Sequence, residues 1–145
     1  MTSEFSQFSS FTADIYGGSF TAFFQHGLLM VDDVDSQGRH DSWNPASEVF
    51  HLDNDSLYVA VQSDVDGPVR VDFFFEQVPG PLLEDLVQRF DGRLHIPSLE
   101  LRVHDSDDLV GLRLKVLSAV CRVTVFVNDS EWIDRVVLQV IPESA

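Results

Sequence analysis

The sequence predicts an all-β protein, an antiparallel β-sandwich of about eight strands, and three observations carry that expectation. Apolar side chains recur with period two, the spacing that puts alternate residues on one face of a strand. The same stretches are rich in Val and Phe, which suit a pleated, half-buried surface. Clusters of Asp, Asn, Ser, Gly and Pro separate them at intervals of roughly ten residues, the turn rhythm of a sandwich.

The clearest strands are three. Leu57–Gln62 reads L-Y-V-A-V-Q, with Leu57, Val59 and Val61 on one face. Pro68–Glu76 sets Val69, Val71, Phe73 and Phe75 against Arg70, Asp72 and Glu76, and Val120–Val127 sets Cys121, Val123, Val125 and Val127 against Arg122 and Thr124. Weaker candidates are Phe20–Phe24, Leu28–Val31, Val49–Leu52, Leu94–Val103, Leu109–Leu117 and Arg135–Ile141. Pro97 lacks the N–H that a ladder needs and confines the first half of Leu94–Val103 to a sheet edge. Turns are expected at D-V-D-G-P (64–68), D-G-R (91–93), H-D-S-D-D (104–108) and N-D-S (128–130). Pro81–Phe90 leans towards a short helix. Pro81 suits a first helical position, and Leu82, Leu83, Leu86, Val87 and Phe90 make an apolar stripe at helical spacing. The alternative is a loop followed by a strand, Asp85–Phe90.

At 145 residues the chain suits a single domain, here 13–145, preceded by a Ser- and Phe-rich segment, 1–12, expected to fray or add an edge strand. Cys121 is the single cysteine, so no intrachain disulfide forms, and its apolar surroundings point to a buried, inert thiol. No basic leader and no run of apolar residues long enough for a membrane span is present, so the expected location is the cytoplasm. Exposed edge strands such as Phe20–Phe24 leave homo-oligomerisation open.

Charge is where the composition departs from average. Nine Lys+Arg stand against 24 Asp+Glu, for a net charge of −15. Such a molecule repels nucleic acid and anionic membranes and attracts basic proteins. A GC-rich genome or a salty cytoplasm produces the same bias, and Lys115 is indeed the only lysine.

An EF-hand loop starting at Asp33 places Asp35, Gln37 and Gly38 at its third, fifth and sixth positions, but Gln37 is too long and Asn44 replaces the bidentate Glu at the twelfth. His51-Leu52-Asp53 is an H-x-D pair on one strand face. With His104, or His95, it would complete a two-histidine, one-carboxylate metal site, and Arg113 would be its anion clamp. No nucleophile elbow, phosphate loop or Cys–His pair is present. Trp43 and Trp132 would suit a carbohydrate-binding sandwich. The remaining constellation is the acidity of the turns: Asp32, Asp33, Asp35 and Asp41; Asp53 and Asp55; Asp64 and Asp66; Asp105, Asp107 and Asp108. Gathered at sandwich ends, these would form a negative rim that pairs with Lys and Arg of a partner, with Trp43 as an aromatic anchor.

The order of these elements resembles the competence-associated nuclease inhibitor family (ComJ type) and related small bacterial β-sandwich proteins. The resemblance lies in S-F-T-A-F-F, the polar connection ending W-N-P-A, L-Y-V-A-V-Q, V-R-V-D-F-F-F, D-L-V-Q-R-F-D-G-R-L-H-I-P-S-L and L-R-L-K-V-L-S-A-V-C-R-V-T-V-F-V. Leu117-Ser118-Ala119 departs from the family's Gly-containing turn. The resemblance implies a strand at Asp85–Phe90, no catalysis and no cofactor, and a stoichiometric inhibitor of a nuclease. The expectation is therefore a non-catalytic inhibitor or immunity protein of a basic partner such as a nuclease or toxin. The alternatives are a metal-dependent module on His51, Asp53 and His104, and a carbohydrate-binding sandwich.

Overall fold

The computed structural model describes residues 16–37, 40, 43–44 and 47–143. The segment 1–12 and Asp41 lie outside the described residues. Ten strands follow one another: β1 (Tyr16–Ala22), β2 (Leu28–Asp33), β3 (Phe50–Asp53), β4 (Ser56–Ala60), β5 (Val69–Phe75), β6 (Leu86–His95), β7 (Glu100–Asp105), β8 (Gly111–Lys115), β9 (Val120–Asn128) and β10 (Arg135–Pro142). They form two five-stranded sheets, β1-β5-β10-β9-β6 (sheet A) and β3-β4-β2-β7-β8 (sheet B). All neighbours are antiparallel except β5 and β10, which run parallel. Among the described residues no helix is long and apolar enough to cross a membrane.

Alternation builds the core as expected. Val69, Val71 and Phe73 of β5, Val123, Val125 and Val127 of β9, and Val136, Leu138 and Val140 of β10 turn inwards from sheet A. Leu29 and Val31, Leu57 and Val59, and Leu101 and Val103 meet them from sheet B. Each fully buried side chain of this size contributes about 1.5–3 kcal/mol relative to leaving it in water. Cys121 belongs to this core, and burial, with a smaller push from Glu143, raises its thiol pKa to about 11.

Three expectations are corrected. The turn expected at 91–93 lies inside β6, laddered to β9. Leu94–Val103 is not one strand: β6 ends at His95, Pro97 falls in the connection, and β7 starts at Glu100. Pro81–Phe90 is not a helix. Only Gly80–Leu83 makes a 3-10 turn, and β6 begins at Leu86. The helical spacing has a specific cause. The ladder with β9 slips between Gln88 and Phe90, a bulge that leaves Val87 and Phe90 both packed on the central core. Leu82, Leu83 and Leu86 instead pack over the outer face of sheet A, against Phe74, Val78, Val137 and Phe126. A bulged strand and a crossing loop thus imitate an apolar helical stripe.

The turn at Leu117-Ser118-Ala119 manages without glycine. The Ser118 hydroxyl accepts from the Val120 N–H and donates to the Glu143 carbonyl.

Candidate functional site

Strand direction decides which loops share an end. The ladder pairs Ala22 with Val69, Arg70 with Arg135 and Leu86 with Asn128 in sheet A, and Leu28 with Ala60 and Leu29 with Asp105 in sheet B. The loops 23–27, 61–68, 105–111 and 128–135 therefore close the same end of the sandwich. Hydrogen bonds and a histidine–carboxylate contact tie them together. Val61 N–H donates to the Gly27 carbonyl, Gln62 N–H to that of Ile133, and Arg70 N–H to that of Asp134. His26 lies 3.4 Å from Asp107. Gly27 sits at φ 62°, and a Cβ there would come within 2.8 Å of the Val61 carbonyl, so only glycine allows this close approach. Phe24 and Ile133 plug the core beneath.

Above these plugs the end is both acidic and apolar. Asp64, Asp66, Asp107, Asp108, Asp129, Glu131 and Asp134 are exposed. Large apolar side chains stand among them: Phe23 at 60% exposure, Val65 at 87%, Leu109 at 73% and Trp132 at 58%. Trp132 is presented on a braced tip. The Asn128 side-chain oxygen accepts from the Asp134 and Arg135 N–H groups, its amide donates to the Trp132 carbonyl, and Ser130 Oγ accepts from the Trp132 N–H. A cavity of about 220 Å³ nearby is lined by Val49, Phe50, Val127 and Ile133, with Arg89 and Asn128 at its polar side. Asp64, Asp66, Glu131 and Asp134 form no ion pair among the described residues, whereas Asp129 pairs with Arg89 at 2.9 Å. An exposed Trp that shares its end of the sandwich with unpaired carboxylates suits protein contact, the aromatic serving as anchor and the charges as its polar surroundings.

The expected acidic residues divide sharply by position. Asp64, Asp66, Asp107 and Asp108 lie at this end and face solvent. Asp35 is exposed at the opposite end. Asp32 and Asp33 are only 2% and 1% exposed, and Asp105 is buried as well. Their carboxylates are spent inside the chain. Asp33 accepts from Ser98 N–H at 3.0 Å, Ser98 Oγ at 2.6 Å and Asp35 N–H at 2.9 Å. Asp105 accepts from the Leu109 and Val110 N–H groups and shapes the β7–β8 turn. Asp32 lies 3.0 Å from His104 Nε2 and 3.5 Å from Arg102 Nε. These three are corrected from surface contacts to internal struts. Trp43 is likewise not a free anchor: its ring meets Tyr58 edge-on at 5.1 Å, and its indole N–H donates to the Glu48 carbonyl.

The reading from sequence missed Trp132, Phe23, Val65 and Leu109 as a group. The available signal was N-D-S-E-W-I-D, a tryptophan inside a hairpin turn, where a core role is hard to satisfy.

The metal constellation does not assemble. His51 and Asp53 share the outer face of β3, but His104 is on β7, three strands away, or roughly 14 Å at the usual strand spacing. Its ring nitrogens face Asp32 and the Asp105 carbonyl. His95 is on sheet A. Among the described residues no group of three His, Cys, Asp or Glu side chains is placed to hold a metal ion. His51 instead meets His40, Nδ1 to Nδ1 at 2.7 Å, and His40 stacks on Tyr58 with centroids 3.5 Å apart. Burial first, and His51 second, lower the His40 pKa against the pull of Asp53, Asp32 and Asp55. Burial, with Asp32 and Asp53, raises that of Tyr58.

No protein-family model and no curated protein matches the sequence. Two solved structures do match in shape. ComJ of Bacillus subtilis, described as an inhibitor of the DNA-degrading activity of NucA, superposes with a TM-score of 0.69 at 9% identity, over 89% of this chain and 98% of that one. The protein of "Crocagin biosynthetic gene J" superposes with a TM-score of 0.56 at 14% identity, over 90% and 97%. What is shared is the fold. The sandwich expected from the family resemblance is thus the one observed, across nearly the whole of both neighbours.

Proposed function

We propose that this chain is a non-catalytic, cytoplasmic bacterial binding protein that inhibits, or gives immunity to, a basic protein of the nuclease or toxin class. The observation that carries the reading is the end formed by loops 23–27, 61–68, 105–111 and 128–135, where Trp132 projects among unpaired carboxylates. A nuclease cleft is lined with cations that hold phosphate, and an acidic surface with an apolar centre is complementary to it. The net charge of −15 adds long-range steering that speeds encounter. The fold shared with ComJ, itself an inhibitor of a nuclease, supports the same reading.

The test is titration of the protein against the nuclease or toxin encoded beside its gene. Full inhibition at equimolar ratio is expected, with association that slows steeply as salt rises and the Debye length shrinks towards about 8 Å at physiological ionic strength. Catalytic inhibition at a small fraction of an equivalent, or affinity indifferent to salt, would remove the basis of the proposal.

A further inference from the structure

We infer that a second site, on the outer face of sheet A, binds a small aromatic carboxylate, with Arg135 as its anion contact. The cavity here is about 480 Å³, inside the roughly 300–1,000 Å³ usual for small-molecule sites. Its walls are mostly apolar. Tyr16 and Phe74 form one side, their rings 5.1 Å apart and tilted by 49°, and Pro79, Pro81 and Leu82 of the crossing segment form the other. Arg70, Asp72 and Arg135 supply its polar groups.

The charges at that floor are unequal in a telling way. Arg70 and Arg135 are register neighbours on the parallel β5–β10 pair and share the outer face. Arg70 is occupied: Nε and Nη2 donate to the two oxygens of buried Asp72 at 3.0 and 3.2 Å. Arg135 has no such partner. Its guanidinium forms no ion pair among the described residues, and its Nε is buried without a hydrogen-bond acceptor. In a chain with 24 acidic residues, an arginine held beside an apolar cavity with an unmet donor is the opposite of what surface charge alone would produce. Two cations and one carboxylate leave a single positive charge at the floor. A ligand that fits has a flat apolar body for the Tyr16, Phe74 and proline walls, and one carboxylate for the planar donor fork of Arg135.

The probes are 2-naphthoate, its neutral counterpart 2-naphthalenemethanol, and acetate, each titrated calorimetrically into the full chain, with amide chemical-shift mapping. Naphthoate is expected to bind one to one with a dissociation constant on the order of 0.1–1 mM, the range that ligand-efficiency limits allow for so small a molecule. The alcohol, and naphthoate on Arg135→Met, should each bind about tenfold more weakly, because each lacks one half of the charge-assisted contact. Leu82→Trp, which fills the cavity from the crossing segment, should abolish binding, and shifts should centre on Tyr16, Phe74 and Arg135. Equal affinity for acid and alcohol, unchanged binding by Arg135→Met, or no saturable naphthoate binding would overturn the inference. If Arg135→Met also lowers the melting temperature, Leu82→Trp and the alcohol still decide it. Inhibition of a basic partner is measured separately, so either reading can fail alone.

Discussion

The two ends of this sandwich are made from the same residue types and do opposite things with them. D-x-D occurs at 33–35 and 53–55 at one end, and at 64–66 and 105–107 at the other. At the first end three of the four carboxylates are held by the chain, and only Asp35 faces solvent. Asp33 holds Ser98, Asp53 receives the His40 N–H at 3.4 Å, and Asp55 accepts from Ser36 Oγ at 2.7 Å. Lys115 and the Arg93–Glu143 pair also lie on this side, so the local charge is mixed. At the second end most of the carboxylates point to water among exposed apolar side chains; Asp105 shapes its own turn, and Asp66 accepts from Ser63 Oγ while staying exposed. An acidic turn is thus either a brace or a display, and which it becomes depends on whether a neighbouring loop brings N–H donors to it.

Charge reversal should separate the ends most widely. Asp64→Lys with Asp66→Lys and Asp134→Lys is expected to slow association with a basic partner by about 10²-fold, as loss of steering does. Asp35→Lys with Glu76→Lys at the opposite end should change it less than about threefold, since those charges lie far from the contact. Surface plasmon resonance at two salt concentrations measures both, and equal losses would erase the distinction between the ends.

Stability should show the reverse preference. Asp33→Ala removes the buried acceptor shared by the Ser98 N–H, the Ser98 hydroxyl and the Asp35 N–H and should cost about 2–3 kcal/mol in urea unfolding, whereas exposed Asp107→Ala should stay within about 0.5 kcal/mol. Trp132→Ala is expected to weaken partner binding by about 2 kcal/mol, the size of an aromatic hot spot, with the melting temperature unchanged. Leu117→Ala, at the opposite end and 92% exposed, should leave binding as it was.

The smallest effect concerns pH. The His40 pKa is lowered in the folded state, so the unfolded chain takes up its proton first as pH falls. Stability from this site is complete above about 6.5 and declines below it towards the lowered folded value. A second proton on the His40–His51 pair would set two N–H groups head to head. Thermal melts between pH 7.5 and 5 should therefore fall less steeply for His40→Gln, and an identical slope in both proteins would exclude His40 as the source.

Much of the fold was legible because alternation is a local property: Val69, Val71 and Phe73 declare their face without any knowledge of their neighbours. What was not legible depended on partners distant in sequence. The β6 bulge gave Val87 and Phe90 a helix-like spacing that only the β9 ladder explains. The burial of Asp33 depends on Ser98, and that of Asp32 on His104. The candidate site was legible in its charges, through Asp64, Asp66, Asp107 and Asp108, but not in its apolar centre. The hairpin turn around Trp132 hints at its exposure, but Trp43 also stands in a polar connection, and only the path of the chain past Tyr58 covers it.

The last of the ten strands in chain order, β10, does not sit at an edge: it lies between β5 and β9, in the middle of sheet A. While a ribosome is still making this protein, β5 has no central neighbour and the strongly apolar V-R-V-D-F-F-F waits with one ladder unpaired. Such a nascent chain is exposed to aggregation until residues 135–142 emerge, and the pairing it awaits is of the slow, long-range kind. Folding of the sandwich is therefore expected to be a single event that waits for residues 135–142 rather than a progression along the chain, and truncation before Arg135 should yield no folded product at all.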